Sequence, residues 1–168
     1  WTALNVGSDR GVTALAFYAT EREGYAALIG SDGDGIFGWS PASPATLGAL
    51  PPLNDPDGRV TRVSALMITD SPDTCAIYVG TTGPNAGISS RACAGAWSPL
   101  QALAEPTGTN VGAITSIVSQ GTELLIATSE GIFQGIPGGG WTRIFGLALR
   151  PLTLVIPPTY AEDRLLIS

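Results

Sequence analysis

Apolar residues alternate with small or polar residues along most of the chain, with a period of two. This alternation is typical of β-strands that bury one face. The alternating stretches are short and are separated by Gly, Pro, Asp and Ser, and no stretch keeps a 3.6-residue period over three helical turns. The pattern therefore predicts an all-β protein made of many short strands.

Three short patterns recur along the chain in a fixed order. The first is an alternation of β-branched and small residues, found at residues 12–15, 63–66, 114–117 and, more weakly, 152–155. The second is an apolar run that ends in a small residue and a hydroxyl, found at residues 28–31, 78–81, 125–128 and 165–168. The third is a Gly-Ile pair, found at residues 35–36, 87–88 and 131–132. The first pattern twice steps by 51 residues, so the chain contains an internal repeat.

A fourth position completes each unit of the repeat. Trp97 and Trp141 follow the glycine of the third pattern by ten residues, and Leu47 takes this place in the first unit after a longer turn. Trp1 occupies the same position of a preceding unit. Because a periodic Trp more often fills a core than stacks on a sugar, we expect these residues to pack between neighbouring units. Trp39 lies out of this register and is the better candidate for an exposed aromatic contact.

Units of four short strands that repeat every ~40–50 residues are the signature of β-propeller blades. We therefore predict a β-propeller or a sector of one, with four-stranded antiparallel blades of about 44–51 residues whose first strands lie innermost, at the hub. The predicted division is a last strand of a preceding blade at 1–5, three complete blades at 6–52, 53–104 and 105–148, and the first two strands of a truncated blade at 149–168. A closed ring needs ~4–8 blades. Either the strand at 1–5 joins the two strands of 149–168 in a fourth, incomplete blade, or the remaining blades lie in a longer protein or in another chain, and we expect the latter.

The order of the motifs resembles that of the BNR/Asp-box propellers, and most closely that of the photosystem II assembly-factor-like and sortilin-like repeat proteins of bacteria. The resemblance covers nearly the whole chain, through the run V-T-A-L-A, then L-I-G-S, G-I-F and W, and it implies a propeller fold. The Asp-box pattern itself, Ser-x-Asp-x-Gly-x-Thr-Trp, is degenerate. Before Trp141 its Ser and Asp positions hold Gln134 and Ile136 while Gly138 is kept, and before Trp97 it keeps Ser90 but holds Ala92 and Ala94 in the Asp and Gly positions.

The two cysteines are placed for a disulfide. In the second unit, the second pattern ends at Thr81 and the third opens at Gly87, so the hairpin between them is centred on residue 84 and positions that sum to 168 face each other. Cys75 and Cys93 satisfy this condition. Directly opposite residues of an antiparallel pair lie ~4.5–5.5 Å apart at Cα, which is within the disulfide range. We predict a Cys75–Cys93 disulfide and therefore an extracytoplasmic location; the alternative is two unpaired cysteines that behave as small buried hydrophobes.

The composition excludes several classes of function. The chain has 168 residues, a net charge of −6, no His and no Lys. An acidic chain lacks the basic surface that a nucleic-acid-binding protein needs. Without His or Lys there is no imidazole base, no Schiff base and no phosphate-binding P-loop lysine. No apolar run approaches the ~18–20 residues of a membrane-spanning helix, and the start at Trp1 suggests a processed product or a piece of a longer protein.

One acidic turn is a candidate metal site. Asp32 and Asp34 lie in the sequence Ser31–Gly35 between the second and third strands of the first unit, and carboxylates with backbone carbonyls could bind Ca²⁺ there. The third carboxylate and the distal Glu of an EF-hand are missing, so we interpret this segment first as a hairpin turn. The acidic segment Asn54–Gly58 is interpreted in the same way, as a loop that connects two units.

The composition and the repeat favour a non-enzymatic extracytoplasmic scaffold that binds other protein subunits or the remaining blades of its own protein. No catalytic residue, no cofactor and no nucleic acid is predicted. The alternative is a sector of a carbohydrate-binding or sialidase-like glycoside-hydrolase propeller, with a glycan as its partner. A hydrolase should collect Arg and carboxylate side chains at the hub, whereas a scaffold should carry its polar contacts on outer loops. A third hypothesis is a Ca²⁺-stabilised adhesion module that uses Asp32 and Asp34.

Overall fold

The structure, a computed structural model, describes residues 11–22, 24–70, 74–103, 112–120, 122–146 and 153–155. In this part of the chain the fold is all-β, as predicted, with eleven strands in three antiparallel sheets and no helix. Accordingly, none of the described residues belongs to a helix long and apolar enough to cross a membrane. Trp1 and the predicted strand at 1–5 lie outside the described residues, as does all of the predicted segment 149–168 except 153–155.

Within each sheet, each strand pairs with the next one along the chain, so every sheet is a meander. The first sheet consists of β1 (Val12–Arg22), β2 (Tyr25–Ser31), β3 (Ile36–Trp39) and β4 (Leu47–Ala49). The second consists of β5 (Arg62–Asp70), β6 (Cys75–Thr82) and β7 (Ile88–Ala92). The third consists of β8 (Ile114–Gln120), β9 (Glu123–Thr128), β10 (Gly131–Gly135) and β11 (Trp141–Gly146). Each sheet lies within one of the three predicted units.

The second sheet departs from the prediction, because it has three strands and not four. The segment after β7 runs beside it only locally: Ile88 and Gln101 exchange two backbone hydrogen bonds of 2.8 Å, and the Ser98 amide donates to the Ser90 carbonyl. Pro99 lies between these contacts and has no amide hydrogen to give to a ladder. The prediction that Trp97 lies on a fourth strand is therefore wrong, whereas Leu47 and Trp141 begin β4 and β11.

The register predicted for the second hairpin is confirmed. In the pairing of β6 with β7, Ala76 lies opposite Ala92 and Gly80 lies opposite Ile88, so the positions sum to 168. One step beyond the paired strands, the Cys93 amide donates to the Cys75 carbonyl at 3.1 Å. A disulfide joins the two cysteines, and their Cα atoms are 5.4 Å apart.

The hydrophobic core lies between successive sheets. Side chains from the first and second sheets form one cluster, whose buried members are Tyr18, Leu28, Ile36, Leu50, Leu53, Val63, Ile77, Val79 and Cys93. Side chains from the second and third sheets form another, whose buried members are Ala65, Ile88, Leu103, Ile114, Ile117, Leu124, Ile126 and Phe133. The second sheet therefore contributes side chains to a hydrophobic cluster on each of its two faces.

Candidate functional site

The first strands of the three sheets, β1, β5 and β8, lie side by side and form what we call the seam. Each of them carries a bulge near its start, at the second residue of β1 and β8 and at the third residue of β5, where the register of its ladder shifts. A bulge turns the side chain of the extra residue away from the regular pleat. The residue at this position is a hydroxyl residue in all three units: Thr13, Ser64 and Thr115.

Two of these hydroxyls connect one sheet to the next. Thr13 Oγ1 donates to the carbonyl of Val63 at 2.6 Å, and Ser64 Oγ donates to the carbonyl of Ile114 at 2.6 Å. Each hydroxyl also lies 3.1 to 3.2 Å from a carbonyl of its own sheet, at Gly30 and Gly80. A hydroxyl has one hydrogen, and the shorter contact in both cases is the one that crosses to the next sheet.

Two glycines allow the sheets to approach at the seam. A Cβ on Gly30 would lie 2.4 Å from Cγ1 of Val63, and a Cβ on Gly80 would lie 2.5 Å from Cγ2 of Ile114. Real Cβ atoms do not approach other heavy atoms this closely, so the repeated small residue at the end of the second pattern is needed for contact with the following unit. The same apolar residues, Val63 and Ile114, thus supply the carbonyl acceptor and the side chain that fills the space above glycine.

The seam also lines a shallow depression of about 190 Å³. Its walls are Thr13, Ala14, Leu15, Ser64, Ala65, Leu66, Thr115, Ser116 and Ile117, three residues from each first strand. Every one of these described residues is aliphatic, small or hydroxylic. The cluster of Arg and carboxylate side chains that a hydrolase would present at this point is not found among them.

Asp32, one of the two candidate calcium ligands, contacts a cation of the next unit. Arg62 Nε lies 2.5 Å from Asp32 Oδ1, and Arg62 Nη2 lies 3.0 Å from Oδ2, so the pair is bidentate. The hydrogen bond and the charge of Asp32 raise the pKa of the Arg62 guanidinium above its ordinary value. Asp34, two residues away, is exposed, and its amide donates to Ser31 Oγ at 3.0 Å.

Ser31–Gly35 is a turn, as the sequence indicates, with Gly33 and Gly35 at φ of 100° and 93°. Within the described ranges, no three Asp, Glu or Cys side chains come together as a metal ligand set. The calcium hypothesis therefore gains no support from the geometry of this turn, whose carboxylate at Asp32 contacts Arg62 of the next unit.

A second acidic loop is held by side-chain hydrogen bonds. Asp55 Oδ1 accepts from the amides of Asp57 at 3.0 Å and Arg59 at 2.9 Å. Asn85 Nδ2, from the turn between β6 and β7, donates to Asp55 Oδ2 and to Asp57 Oδ2, at 3.1 Å each. The hydrogen bond from the Arg59 amide, followed by that from Asn85, lowers the pKa of the Asp55 carboxyl. This surface loop between the first and second units is therefore held in place by side-chain hydrogen bonds.

The disulfide lies beside a buried arginine and an indole. Arg91 is 5% exposed, donates through Nη2 to the Cys93 carbonyl, and places its guanidinium carbon 5.4 Å from the centre of the Trp97 ring. A cation at this distance from an indole face is attracted by the ring quadrupole. The indole nitrogen of Trp97 donates to the Pro51 carbonyl of the first unit at 2.9 Å. This group therefore joins the second unit to the first, away from the seam.

The other Trp and Leu positions singled out from the sequence have different surroundings. Trp141 is half-buried and packs against the cluster between the second and third sheets. Leu47 is half-buried at the start of β4. Trp39, the candidate for an exposed contact, is half-buried on β3, and its indole nitrogen donates to the Pro44 carbonyl at 3.3 Å.

Two polar connections were not singled out from the sequence. The bulge hydroxyls stood within the first repeated pattern, and their recurrence at 13, 64 and 115 is the signal that could have identified them. Gln101 joins the second unit to the third: its Nε2 donates to the Gly139 carbonyl at 3.0 Å, and its Oε1 accepts from the Gly138 amide at 2.9 Å. Gln101 does not recur at the repeat period, so no sequence pattern marks it.

Comparison with known proteins yields a fold similarity. No protein family and no curated protein matches the chain. Among solved structures, the chain is similar to the crystal structure of a computationally designed protein, Ika4, with a TM-score of 0.58 and 20% sequence identity. The similarity covers 94% of this chain and 86% of that chain. At this identity it concerns the fold alone.

Proposed function

We propose that the chain is a sector of a β-propeller that acts as a non-enzymatic, extracytoplasmic scaffold for protein assembly. The observation that carries the proposal is the repeated seam. Two equivalent hydroxyl-to-carbonyl bonds, Thr13 to Val63 and Ser64 to Ile114, relate the three sheets by the same step of 50 residues. Face-to-face packing of sheets whose first strands share one seam is the arrangement expected of neighbouring propeller blades, and it therefore supports the proposal.

The distribution of polar contacts favours a scaffold over a hydrolase. The depression along the seam, which would face the hub of the proposed propeller, is lined by hydroxyl, small and aliphatic residues. Charged and amide contacts such as the pair Asp32–Arg62 and the group Asp55, Asp57 and Asn85 lie outside this depression. Loops held in place by such contacts offer an ordered surface to another protein, and binding residues are commonly carried on loops of this kind.

The disulfide supports the proposed location. A disulfide within an ordinary protein persists in oxidising compartments and is rare in a reducing cytoplasm. The Cys75–Cys93 bond closes β6 and β7 into one covalent hairpin beside Arg91 and Trp97. We therefore place the protein at the cell surface, in the periplasm or outside the cell.

To test the proposal, a tagged form of the protein is crosslinked briefly in its source and then isolated. The reagent should not depend on lysine amines, because the chain has no Lys. We expect it in the extracytoplasmic fraction, with both cysteines inaccessible to maleimide until reduction, and in a complex with other proteins. A parallel assay with fluorogenic glycosides, sialosides included, is expected to detect no hydrolysis. Hydrolysis of a glycoside, or recovery of a reduced chain from the cytoplasm, would contradict the proposal.

A further inference from the structure

One face of the first strand carries large apolar side chains in contact with solvent. On β1, Leu15 is 56% exposed and Phe17 is 71% exposed. They lie on the face opposite Tyr18, which belongs to the cluster shared with the second sheet. Adjacent exposed apolar residues of this size are typical of an interaction surface.

The internal repeat shows what covers this face in the other units. The residues 51 positions after Leu15 and Phe17 are Leu66 and Ile68, and both pack against the cluster between the first and second sheets. The next equivalent of Leu15 is Ile117, which is 6% exposed in the cluster between the second and third sheets. In both units, the preceding sheet covers this face of the first strand.

The backbone of β1 carries a matching acceptor. The carbonyls of Val63 and Ile114 accept the bulge hydroxyl of the preceding unit. Val12 holds the equivalent position of the first unit, and its side chain is 51% exposed. A sheet that covered Leu15 and Phe17 in the same way would present a hydroxyl to the Val12 carbonyl.

The described segment 153–155 carries a matching hydroxyl. In the segment 153–155, Leu154 is 3% exposed and packs on the third sheet, and its amide donates to Ser116 Oγ at 3.1 Å. In the weak fourth copy of the first pattern, Thr153 occupies the position of Thr13 and Ser64. Thr153 is exposed, and Val155, two residues further along, is 51% exposed.

We propose that the face of β1 formed by Val12, Leu15 and Phe17 binds a second copy of this chain, which presents Thr153 to the Val12 carbonyl. This inference rests on the proposed propeller and continues its internal seam across two chains. Such a contact is head-to-tail, and it closes when each chain presents both its β1 face and its segment 153–155 to the other. Two chains supply six described sheets, which falls in the range of ~4–8 blades that close a ring.

Cysteine crosslinking in trans tests the docking directly. Val12→Cys and Thr153→Cys variants are purified separately, mixed and oxidised mildly, so that a bond between the two positions can form only between chains. We expect a covalent heterodimer that disappears on reduction, and neither variant alone should give this yield. If the mixture gives no heterodimer, the proposal is wrong. It is also wrong if a chain that carries both substitutions closes only on itself.

Solution mass gives a second, independent test. We expect the unmodified chain to have twice its monomer mass in light scattering at micromolar concentration. Phe17→Glu should raise the dimer dissociation constant by about thirtyfold or more, because it places a charge at a central aromatic position of the interface. Ile136→Glu is the matched control: Ile136 is 47% exposed in the turn between β10 and β11, and this change should leave the dimer intact.

A monomer at all concentrations would overturn the second-copy proposal. The scaffold proposal would be unaffected by this result, because the compartment, the partners and the lack of glycoside hydrolysis are measured in a separate experiment. Equal effects of Phe17→Glu and Ile136→Glu on the mass would also overturn it, because the β1 face would then have no special role.

Discussion

At the scale of single residues, the seam depends on a hydroxyl that reaches a backbone carbonyl of the next sheet. Ser64 Oγ lies 2.6 Å from the carbonyl of Ile114, a residue that is fully buried. A buried acceptor that loses its donor costs more than the bond contributes, because the carbonyl is still removed from water. This contact fixes which residues of neighbouring first strands face each other.

The seam hydroxyl can be tested by removing it. Ser64→Ala should lower the free energy of unfolding by about 1–2 kcal/mol, because the Ile114 carbonyl loses its donor. Ser43→Ala, at an exposed position in the turn between β3 and β4, is the control and should change stability by less than ~0.5 kcal/mol. Urea denaturation measures both. Equal stabilities of the two variants would show that the hydroxyl does not support the seam.

The Asp55 carboxyl makes the stability of the connecting loop depend on pH. Its pKa is lowered in the folded protein by hydrogen bonds from the Arg59 amide and from Asn85. A lowered folded pKa stabilises the fold above the unfolded pKa of ~4, and this contribution is lost as the pH falls through the folded pKa. The unfolding free energy of Asp55→Asn should therefore decline less between pH 5 and 2 than that of the unmodified chain. Parallel curves for the two proteins would contradict the role given to this carboxylate.

At the scale of the elements, much of the second hairpin could be predicted from the sequence. Its register followed from the distance between Thr81 and Gly87, because a hairpin turn fixes which residues face each other. The fourth strand of this unit was predicted wrongly, since the repeat placed Trp97 on a strand where Pro99 interrupts the ladder. The function of the bulge hydroxyls was also missed. Their partners are backbone carbonyls, which every residue has, so no residue type marks the acceptor.

The disulfide should stabilise the hairpin of β6 and β7 through the unfolded chain. The cysteines are 18 residues apart, and closing a loop of this length restricts the unfolded ensemble by about 3 kcal/mol. Replacing both cysteines by Ala should lower the unfolding free energy by about this amount, and reduction of the unmodified chain should give a similar loss. Guanidinium denaturation in the presence and absence of reductant measures both effects. An unchanged midpoint after complete reduction would be the contrary result.

The close contact between the second and third sheets limits which residue can occupy position 80. Gly80→Ala would place a Cβ 2.5 Å from Cγ2 of Ile114, so the second and third sheets would have to separate. We expect a loss of about 1–3 kcal/mol, which is typical of overpacking in a core. Gly140→Ala is the control, since a Cβ there meets no atom within 4 Å. Thermal unfolding of the two variants should show a lower midpoint for Gly80→Ala alone.

At the scale of the whole molecule, each sheet is stabilised by its neighbours. The two larger clusters each combine side chains from two successive sheets, so a single unit would leave one face of its sheet in water. The same dependence explains the apolar face of β1, where Leu15 and Phe17 repeat a surface that is covered in the following units. The repeat and the all-β class could be predicted because both follow from the spacing of apolar residues over short stretches of sequence. The polar contacts that distinguish the units could not be predicted, because Gln101, Asn85 and Arg62 each occur at a single position and do not recur with the repeat.

The central claim is that the three sheets are related by one repeated step and share a seam of first strands. A crystal structure of the chain tests this most directly. We expect the hydroxyls of Thr13 and Ser64 within hydrogen-bond distance of the Val63 and Ile114 carbonyls, with β1, β5 and β8 side by side around an axis. A two-layer sandwich, in which these first strands lie apart and neither hydroxyl reaches the next unit, would contradict the account.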